Sequence, residues 1–307
     1  MRETGETDIY DVAIVGGGPA GLTAATYLRR FHRRCLILDA GRSRARWIPE
    51  SNNCPGFPSG ISGVELLRRM HEQAAAFDAV LEPVCVDAVE KLADGFRLRA
   101  GAHSWQARCV ILATGLADRM PDYPWVKEAL AKGALRFCSI CDAYEATDQR
   151  IGVLGRSADI ATHGLFLRSY SEQVYLLPVD EADPAGQALA TALQAGVRLL
   201  PAGGRLEFDG TRCAYRDSDG LVTELDTVYP FLGSITSAEL ARATGVELVD
   251  GEIPVDGNQM TRVDGLFAIG DVVSGLNQIA VAVGQAAKAA TCIHNLLPHR
   301  PRQAPAR

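Results

Sequence analysis

The sequence predicts an α/β protein made of two Rossmann-like three-layer domains, the second inserted in the first. Three observations carry this reading. A strand, glycine turn, helix and strand fill residues 9–39, and an altered copy of the same unit fills residues 151–177. Near the end of the chain, Gly265-Leu-Phe-Ala-Ile-Gly-Asp271 and a long helix of small residues resume the first pattern. The 307 residues suffice for two domains of ordinary size, and 30 glycines among 47% apolar residues fit an α/β composition. The boundaries read from the sequence are 1–117 with 233–307 for one domain and 118–232 for the other.

In the first unit Asp11-Val-Ala-Ile-Val15 is a buried parallel strand and Leu22 to Phe31 is helical. Cys35-Leu-Ile-Leu38 is the second strand, ending at Asp39. Between them lies the turn Gly16-Gly17-Gly18-Pro19-Ala20-Gly21. Gly16 makes the tight turn, Gly18 lets backbone approach a pyrophosphate, and Gly21 admits close helix packing. The helix N-terminus faces the negative charge, and Asp39 is placed to bind a ribose 2′-hydroxyl. The glycine pattern alone is weak evidence; set in strand, helix, strand and terminal acid, it reads as a dinucleotide site.

The basic loop Arg42–Arg46 and the stretch Asn52-Asn-Cys-Pro-Gly-Phe-Pro58 read as connector. A helix is expected from Gly63 to Phe77 through Val64, Leu67 and Met70, with His71 on its polar face. Short strands are expected over 80–112, and the run ending Ala113-Thr114-Gly115 leaves the first domain. In the second unit Ile151–Gly155 is the strand, Ile160 to Tyr170 the helix and Val174–Leu177 the next strand. Its turn, however, reads Gly155-Arg-Ser-Ala-Asp-Ile160, with Ser157 and Ile160 where the second and third glycines belong. The strand then runs into Pro178-Val-Asp-Glu-Ala-Asp183, which offers carboxylates and no arginine to a 2′-phosphate. From Tyr229 the chain returns to the first domain, passing Gly270, Asp271, Asn277 and Gln278 into a helix from Ile279 to Leu297. The Pro- and Arg-rich tail from His299 is expected to be disordered.

Phe137-Cys-Ser-Ile-Cys-Asp142 lies between these units. Cysteines at this spacing can meet at the roughly 5.5 Å Cα separation of a disulfide. At a helix start one thiol of such a pair becomes more acidic, and the thiolate is the reactive form. Asp142 puts a carboxyl beside the thiols that can ferry a proton. The competing readings are half a zinc site or two core cysteines. Zinc usually takes four ligands, and the chain has no second Cys-x-x-Cys and no His-x-x-x-His. Redox chemistry is the better reading. Cys35, Cys109 and Cys292 lie in apolar or helical runs and read as core thiols.

A net charge of −6 gives no reason to expect nucleic acid or an anionic membrane surface. No run of about 18 apolar residues suggests a membrane span, and Met1–Asp11 is polar, without the apolar core of a signal. With one cysteine pair at motif spacing among eight cysteines, a reducing cytoplasm is expected.

Together GGGPAG at 16–21, ATG at 113–115, CSICD at 138–142 and GLFAIGD at 265–271 resemble the low-molecular-weight thioredoxin reductase family of flavoproteins, in order and spacing. The resemblance implies FAD held by the first and last segments, through Gly16, Gly18, Pro19, Ala20, Gly21, Asp39, Ala113–Gly115, Gly270, Asp271, Gln278 and Ile279. It implies a redox disulfide in which Cys141 faces the flavin, Cys138 attacks the substrate disulfide and Asp142 carries the proton. Asp271 would hold the ribityl chain or pyrophosphate, and Gln278 would touch the isoalloxazine edge. A homodimer with a rotating inserted domain is also implied. NADPH-using members carry a complete second glycine turn and a His-Arg-Arg stretch, where this chain has Gly155–Ile160 and Pro178-Val-Asp180. The chain is thus similar to branches without NADPH motifs. Some of these take electrons from a ferredoxin-type donor, and others are dithiol oxidases that use oxygen. The oxidases commonly have His after the second cysteine, and Asp142 there favours a reductase acting on a thioredoxin-like protein or small disulfide. Oxygen-using dithiol oxidation, NADH use, and a flavin-binding redox sensor remain as alternatives.

Overall fold

The computed structural model describes residues 9–181, 186–273 and 275–301. Expectations placed on residues 1–8, Asp183 and 302–307 lie outside them. The chain forms two compact units, one of Met1–Arg46, Val64–Ala117 and Thr236–Arg307, the other of Trp47–Gly63 and Asp118–Ile235. The loop 47–63, which the sequence left with the first domain, groups with the second unit. There Asn52 Nδ2 donates to Glu145 Oε1 at 2.9 Å, a contact between segments 93 residues apart that local sequence does not signal.

In the first unit β1 (Tyr10–Val15) leads to α1 (Pro19–Arg30) and β2 (Cys35–Leu38), followed by α2 (Gly63–Ala75) and β3 (Val80–Glu82). The hairpin β4 (Ala88–Leu92) and β5 (Gly95–Ala100) precedes the long β6 (His103–Leu112) and β7 (Leu116–Asp118). Strands β1 to β6 are ordered β3-β2-β1-β6-β5-β4. The members from β3 to β6 are parallel, and the β4–β5–β6 end is antiparallel. Val12, Ala13 and Ile14 of β1 are wholly buried, as a parallel strand covered on both faces requires. Helix α1 begins three residues earlier than its apolar pattern suggests. Pro19 takes a first-turn position, where its missing N–H costs nothing.

The second unit holds α3 (Val126–Ala131), the one-turn α4 (Ser139–Asp142), β8 (Ile151–Gly155), α5 (Ser157–Leu167), β9 (Val174–Pro178), α6 (Gln187–Gln194) and β10 (Arg198–Leu199). A three-stranded antiparallel sheet of β11 (Arg205–Phe208), β12 (Cys213–Arg216) and β13 (Val222–Leu225) precedes β14 (Thr227–Phe231) and β15 (Ser234–Thr236). Its parallel sheet is ordered β10-β9-β8-β14. The two strands that carry the chain out of and back into the first unit, β7 and β15, pair with each other. The chain closes with α7 (Glu239–Ala243), β16 (Leu266–Ala268) and α8 (Ile279–Leu296). Strand β16 joins β6 in parallel register, Leu266 opposite Val110, and so completes the first sheet.

The segment after α8 is ordered as far as it is described, contrary to expectation. The Arg33 guanidinium, from a 2% exposed residue, donates to the carbonyls of His294, Leu297 and Pro298 at 2.8–3.1 Å, satisfying the end of α8. Arg300 then pairs with the buried Asp11 at 3.0 Å.

Candidate functional site: a dinucleotide turn, a closed turn and a disulfide

The first turn is shaped by contacts that only glycine permits. Gly16 has φ +111°, and a β-carbon there would lie 2.3 Å from the Ala113 carbonyl oxygen. At Gly21 a β-carbon would lie 1.9 Å from the Gly16 oxygen, and at Gly17 it would lie 2.7 Å from the Asp39 carboxyl carbon. Gly18, extended at the cap of α1, faces only Ser43, 3.2 Å away. No side chain caps α1, so its first N–H groups are left for an anion. A cleft of about 240 Å³ opens here, lined by Gly17, Asp39, Gly41, Ser43, Arg46 and His71 among others. The final strand reaches the same place: a β-carbon on Gly270 would lie 3.1 Å from that of Ala20. Asp271 Oδ2 lies 3.4 Å from Arg44 Nη1, and the Gly270 N–H donates to Gln285 Oε1 at 2.7 Å. Thr114 Oγ1 donates to the Ser237 carbonyl at 2.7 Å, and Gly115 turns the chain with φ +64°. Gln278 is the residue before α8 and Ile279 its first residue.

The structure thus gathers Gly16–Gly21, Asp39, Ala113, Gly270 and Asp271 at the carboxyl ends of β1, β2, β6 and β16, where open α/β sheets bind ligands. Gly17, Ser43, Arg44, Arg46, His71 and Gln285 belong to this neighbourhood and were not singled out as site residues from sequence. Only the run of three glycines hinted at Gly17. The Arg42–Arg46 loop is more than a connector, because Arg44 holds Asp271.

The second turn has the same strand-to-helix layout and a different chemistry. The Asp180 Oδ1 accepts the Ser157 N–H at 2.7 Å, so a carboxylate of the chain itself sits at the start of α5. That bond makes Ser157 the first helical residue, three earlier than expected from the apolar pattern, and the helix stops at Leu167. The Ser157 N–H holds the exposed Asp180 carboxyl below its ordinary range. Ile160 is fully buried. Gly155 is retained for packing: a β-carbon there would lie 2.4 Å from the Phe231 carbonyl oxygen.

Cys138 and Cys141 form a disulfide with Cα atoms 5.2 Å apart. Cys138 is the extended cap of α4, and the Cys141 N–H donates to its carbonyl at 3.0 Å. Asp142 ends α4 with its side chain 13% exposed. Its Oδ1 accepts the Tyr229 hydroxyl of β14 at 2.9 Å, and its Oδ2 lies 3.2 Å from Arg136 Nη1. Burial raises the Asp142 pKa; the Arg136 charge and the Tyr229 hydrogen bond oppose this, and Glu145 adds to it. The same burial, with the Asp142 charge, drives the Tyr229 hydroxyl above its usual value. Ile140 and Tyr144, either side of Cys141, are exposed. Elsewhere burial pushes Cys35 up to about 12 and Cys109 up to about 11, which keeps them inert thiols. Cys292 is only half-buried, not the core thiol expected. No group of three or more His, Cys, Asp or Glu among the described residues could hold a metal. No described helix is long and apolar enough to cross a membrane.

A dinucleotide turn and a Cys-x-x-Cys disulfide with an adjoining carboxyl define a disulfide oxidoreductase. The chain belongs to the pyridine nucleotide-disulphide oxidoreductase family, whose model matches residues 10–286, as a flavin-dependent, thioredoxin reductase-like enzyme. It is 32% identical over 296 residues to a thioredoxin reductase of Mycolicibacterium smegmatis, covering 92% of this chain and 94% of that one. It is 30% identical over 299 residues to a thioredoxin reductase of Treponema pallidum, covering 93% and 96%. The crystal structure of thioredoxin reductase from Streptococcus pyogenes superposes with a TM-score of 0.86 at 25% identity, over 94% of this chain and 98% of that one. FAD is the cofactor of this family. The uncapped α1 start, the glycine contacts and Asp39 on the cleft fit its pyrophosphate and ribose.

Proposed function

We propose that this enzyme moves two electrons between FAD and the Cys138–Cys141 pair, and on to a thioredoxin-like protein or small disulfide, without NADPH as its donor. FAD supplies the two-electron store. In this reading residues 1–117 and 233–307 hold it, through Gly16, Gly18, Pro19, Ala20, Gly21, Asp39, Ala113–Gly115, Gly270, Asp271, Gln278 and Ile279. Residues 118–232 are a degenerate nucleotide domain that carries the disulfide. Cys138 attacks the substrate, Cys141 resolves towards the flavin side, and Asp142 holds or gives up the proton. A ferredoxin-type donor, a homodimeric assembly and a cytoplasmic setting complete the proposal.

The observation that carries the departure from NADPH is the Asp180 carboxylate on the Ser157 N–H. A pyrophosphate would need that same helix start, and the fixed negative charge repels it. The family's own description, with its pyridine nucleotide, favours a second reading in which NAD(P)H is still the donor. Anaerobic holo-protein mixed separately with NADPH, NADH and reduced ferredoxin decides between them by flavin absorbance. Reduced ferredoxin is expected to bleach the flavin, while either nicotinamide does so slowly or not at all. A micromolar NADPH Michaelis constant with turnover of several per second, on the order of ordinary enzyme values, overturns the proposal. Cys141→Ser is expected to abolish turnover and to trap the physiological partner on Cys138 as a mixed disulfide, read by mass spectrometry.

A further inference from the structure

Asp142 is gripped from two directions by residues outside the Cys-x-x-Cys motif. Arg136 approaches Oδ2 from the segment leading into Cys138, and Tyr229 approaches Oδ1 from β14. Neither partner is loosely held. The Arg136 backbone N–H donates to the Val228 carbonyl at 3.0 Å, and its Nε donates to the Gly133 carbonyl at 3.2 Å. Tyr229 has no solvent exposure, and its neighbour Val228 bridges to Leu135. Arg136 and Tyr229 are therefore fixed to each other through the backbone, with the carboxyl between their tips.

We propose that Arg136 and Tyr229 are positioning residues that hold the carboxyl of the proton carrier Asp142 between them. The proposal rests on Asp142 being that carrier. Arginine is donor-only and stays charged, so it favours a bare Oδ2. The Tyr229 hydroxyl can turn from donor to acceptor, so a proton taken up by Asp142 is favoured on Oδ1. In the reverse direction, with a dithiol in place of the reduced substrate, oxidation of that dithiol to its disulfide releases two electrons and two protons. The Cys138–Cys141 bond breaks, both sulfurs are reduced, and one of those protons reaches its sulfur by way of Asp142, which returns to carboxylate. The groups facing Asp142 are Arg136 and Tyr229, which favour the carboxylate, and Glu145, which disfavours it. Glu145 Oε1 is held by Asn52, while its Oε2 is buried without a hydrogen-bond partner, so its charge is poorly satisfied locally.

The test uses anaerobic holo-protein and dithiothreitol, which reduces the disulfide and thereby bleaches the flavin without any natural donor. The bleaching rate is measured against pH for wild type and variants; ionisation of dithiothreitol itself is common to all and cancels in the comparison. Asp142→Asn is expected to slow the step about 100-fold, at the lower end of general acid–base effects, and to remove one limb of the profile. Arg136→Gln is expected to move that limb to higher pH, Tyr229→Phe to move it the same way by less, and Glu145→Gln to move it to lower pH. Arg136→Lys, which keeps the charge, is expected to restore most of the shift. A parallel titration of the Asp142 carboxyl by 13C NMR, assigned with Asp142→Asn, is expected to move in the same directions and does not depend on turnover. Flavin content and melting temperature identify any variant that has not folded, and the remaining variants still carry opposite signs. If Asp142→Asn keeps the limb and the rate, the carrier reading itself fails. If Asp142→Asn removes the limb while the other variants lower the rate without moving it, Arg136 and Tyr229 are structural supports only and the proposal is overturned.

Discussion

The molecule contains the same strand, turn and helix twice and treats the start of the helix in opposite ways. At Gly16–Gly21 the turn is all glycine, proline and alanine, no side chain caps α1, and a cleft lies beside it. At Gly155–Ile160 the Asp180 carboxylate takes the first N–H of α5, and Ile160 fills the third glycine position. The sheet registers make the two comparable. Val15 lies opposite Leu38, which puts Asp39 at the strand end beside Gly16, whereas Gly155 lies directly opposite Pro178. Pro178 therefore occupies the place that Asp39 holds in the first unit. Asp180, two residues on, folds back over the helix instead. A helix N-terminus has one strong demand, a partner for its free N–H groups. In one copy no side chain meets it, and in the other the chain's own carboxylate does.

The sharpest way to break this comparison is Gly21→Val. A β-carbon already falls 1.9 Å from the Gly16 oxygen, so α1 must lift away from the turn and the open helix start is lost. Overpacking of this kind costs about 1–3 kcal/mol or more. The expected outcome is protein purified with little or no FAD, measured by flavin absorbance against protein concentration. Gly18→Ala is the control, because the space there is bounded only by Ser43 at 3.2 Å; its fold should persist while FAD affinity falls. Full FAD occupancy in Gly21→Val would remove the first turn from the site.

A smaller effect is expected when the second turn is pushed back towards the first. Ile160 is buried among Ile151, Val153, Leu167 and Tyr229, so Ile160→Gly leaves a cavity and adds a helical glycine. The cost should be about 3–5 kcal/mol, read as a lower midpoint in urea. NADPH reduction should not appear, since the Asp180 carboxylate is untouched. The isoleucine is a core residue before it is an obstacle to a ligand, and this measurement separates the two roles.

What the sequence disclosed and what it hid follow the same division. The turn at Gly16–Gly21 and the place of Asp39 beside it are legible because both lie within a single βαβ unit, at offsets that backbone geometry fixes. The Cys138–Cys141 pair was legible for the same reason. Arg44 on Asp271 and Tyr229 on Asp142 were not, because 227 and 87 residues separate the partners, and no periodicity marks a lone arginine or tyrosine. Asp180 was read as a residue that repels a nucleotide phosphate. Its hydrogen bond to Ser157 was hidden because the strand end and the helix start meet only in the fold. Chain order places loop 47–63 with the first domain, whereas the Asn52 contact to Glu145 joins it to the second unit.

The smallest expected effect is also the most specific: Asp180→Asn. Asparagine keeps a side-chain oxygen that can accept the Ser157 N–H, so the fold and that hydrogen bond should survive, while the charge and its pairing with Arg156 are removed. The sign of the pH dependence follows from the Asp180 carboxyl lying below its ordinary value of 3.8. A group depressed in the folded state contributes stability above its unfolded value, and that contribution is lost as pH falls through the folded value. Wild type should therefore melt slightly higher than Asp180→Asn at neutral pH, with the difference vanishing as pH drops below about 3.8. Because the carboxylate is solvent-exposed, salt should also narrow the gap. Thermal melts of both proteins from pH 3 to 7, at low and high salt, test the cap. Flavin bleaching by NADPH then tests the lock. If Asp180→Asn remains inert to NADPH, the rest of the second turn, Ile160 included, suffices to exclude the dinucleotide, and the carboxylate serves the helix and Arg156 beside it. If it gains reduction, the carboxylate is what keeps the second turn closed.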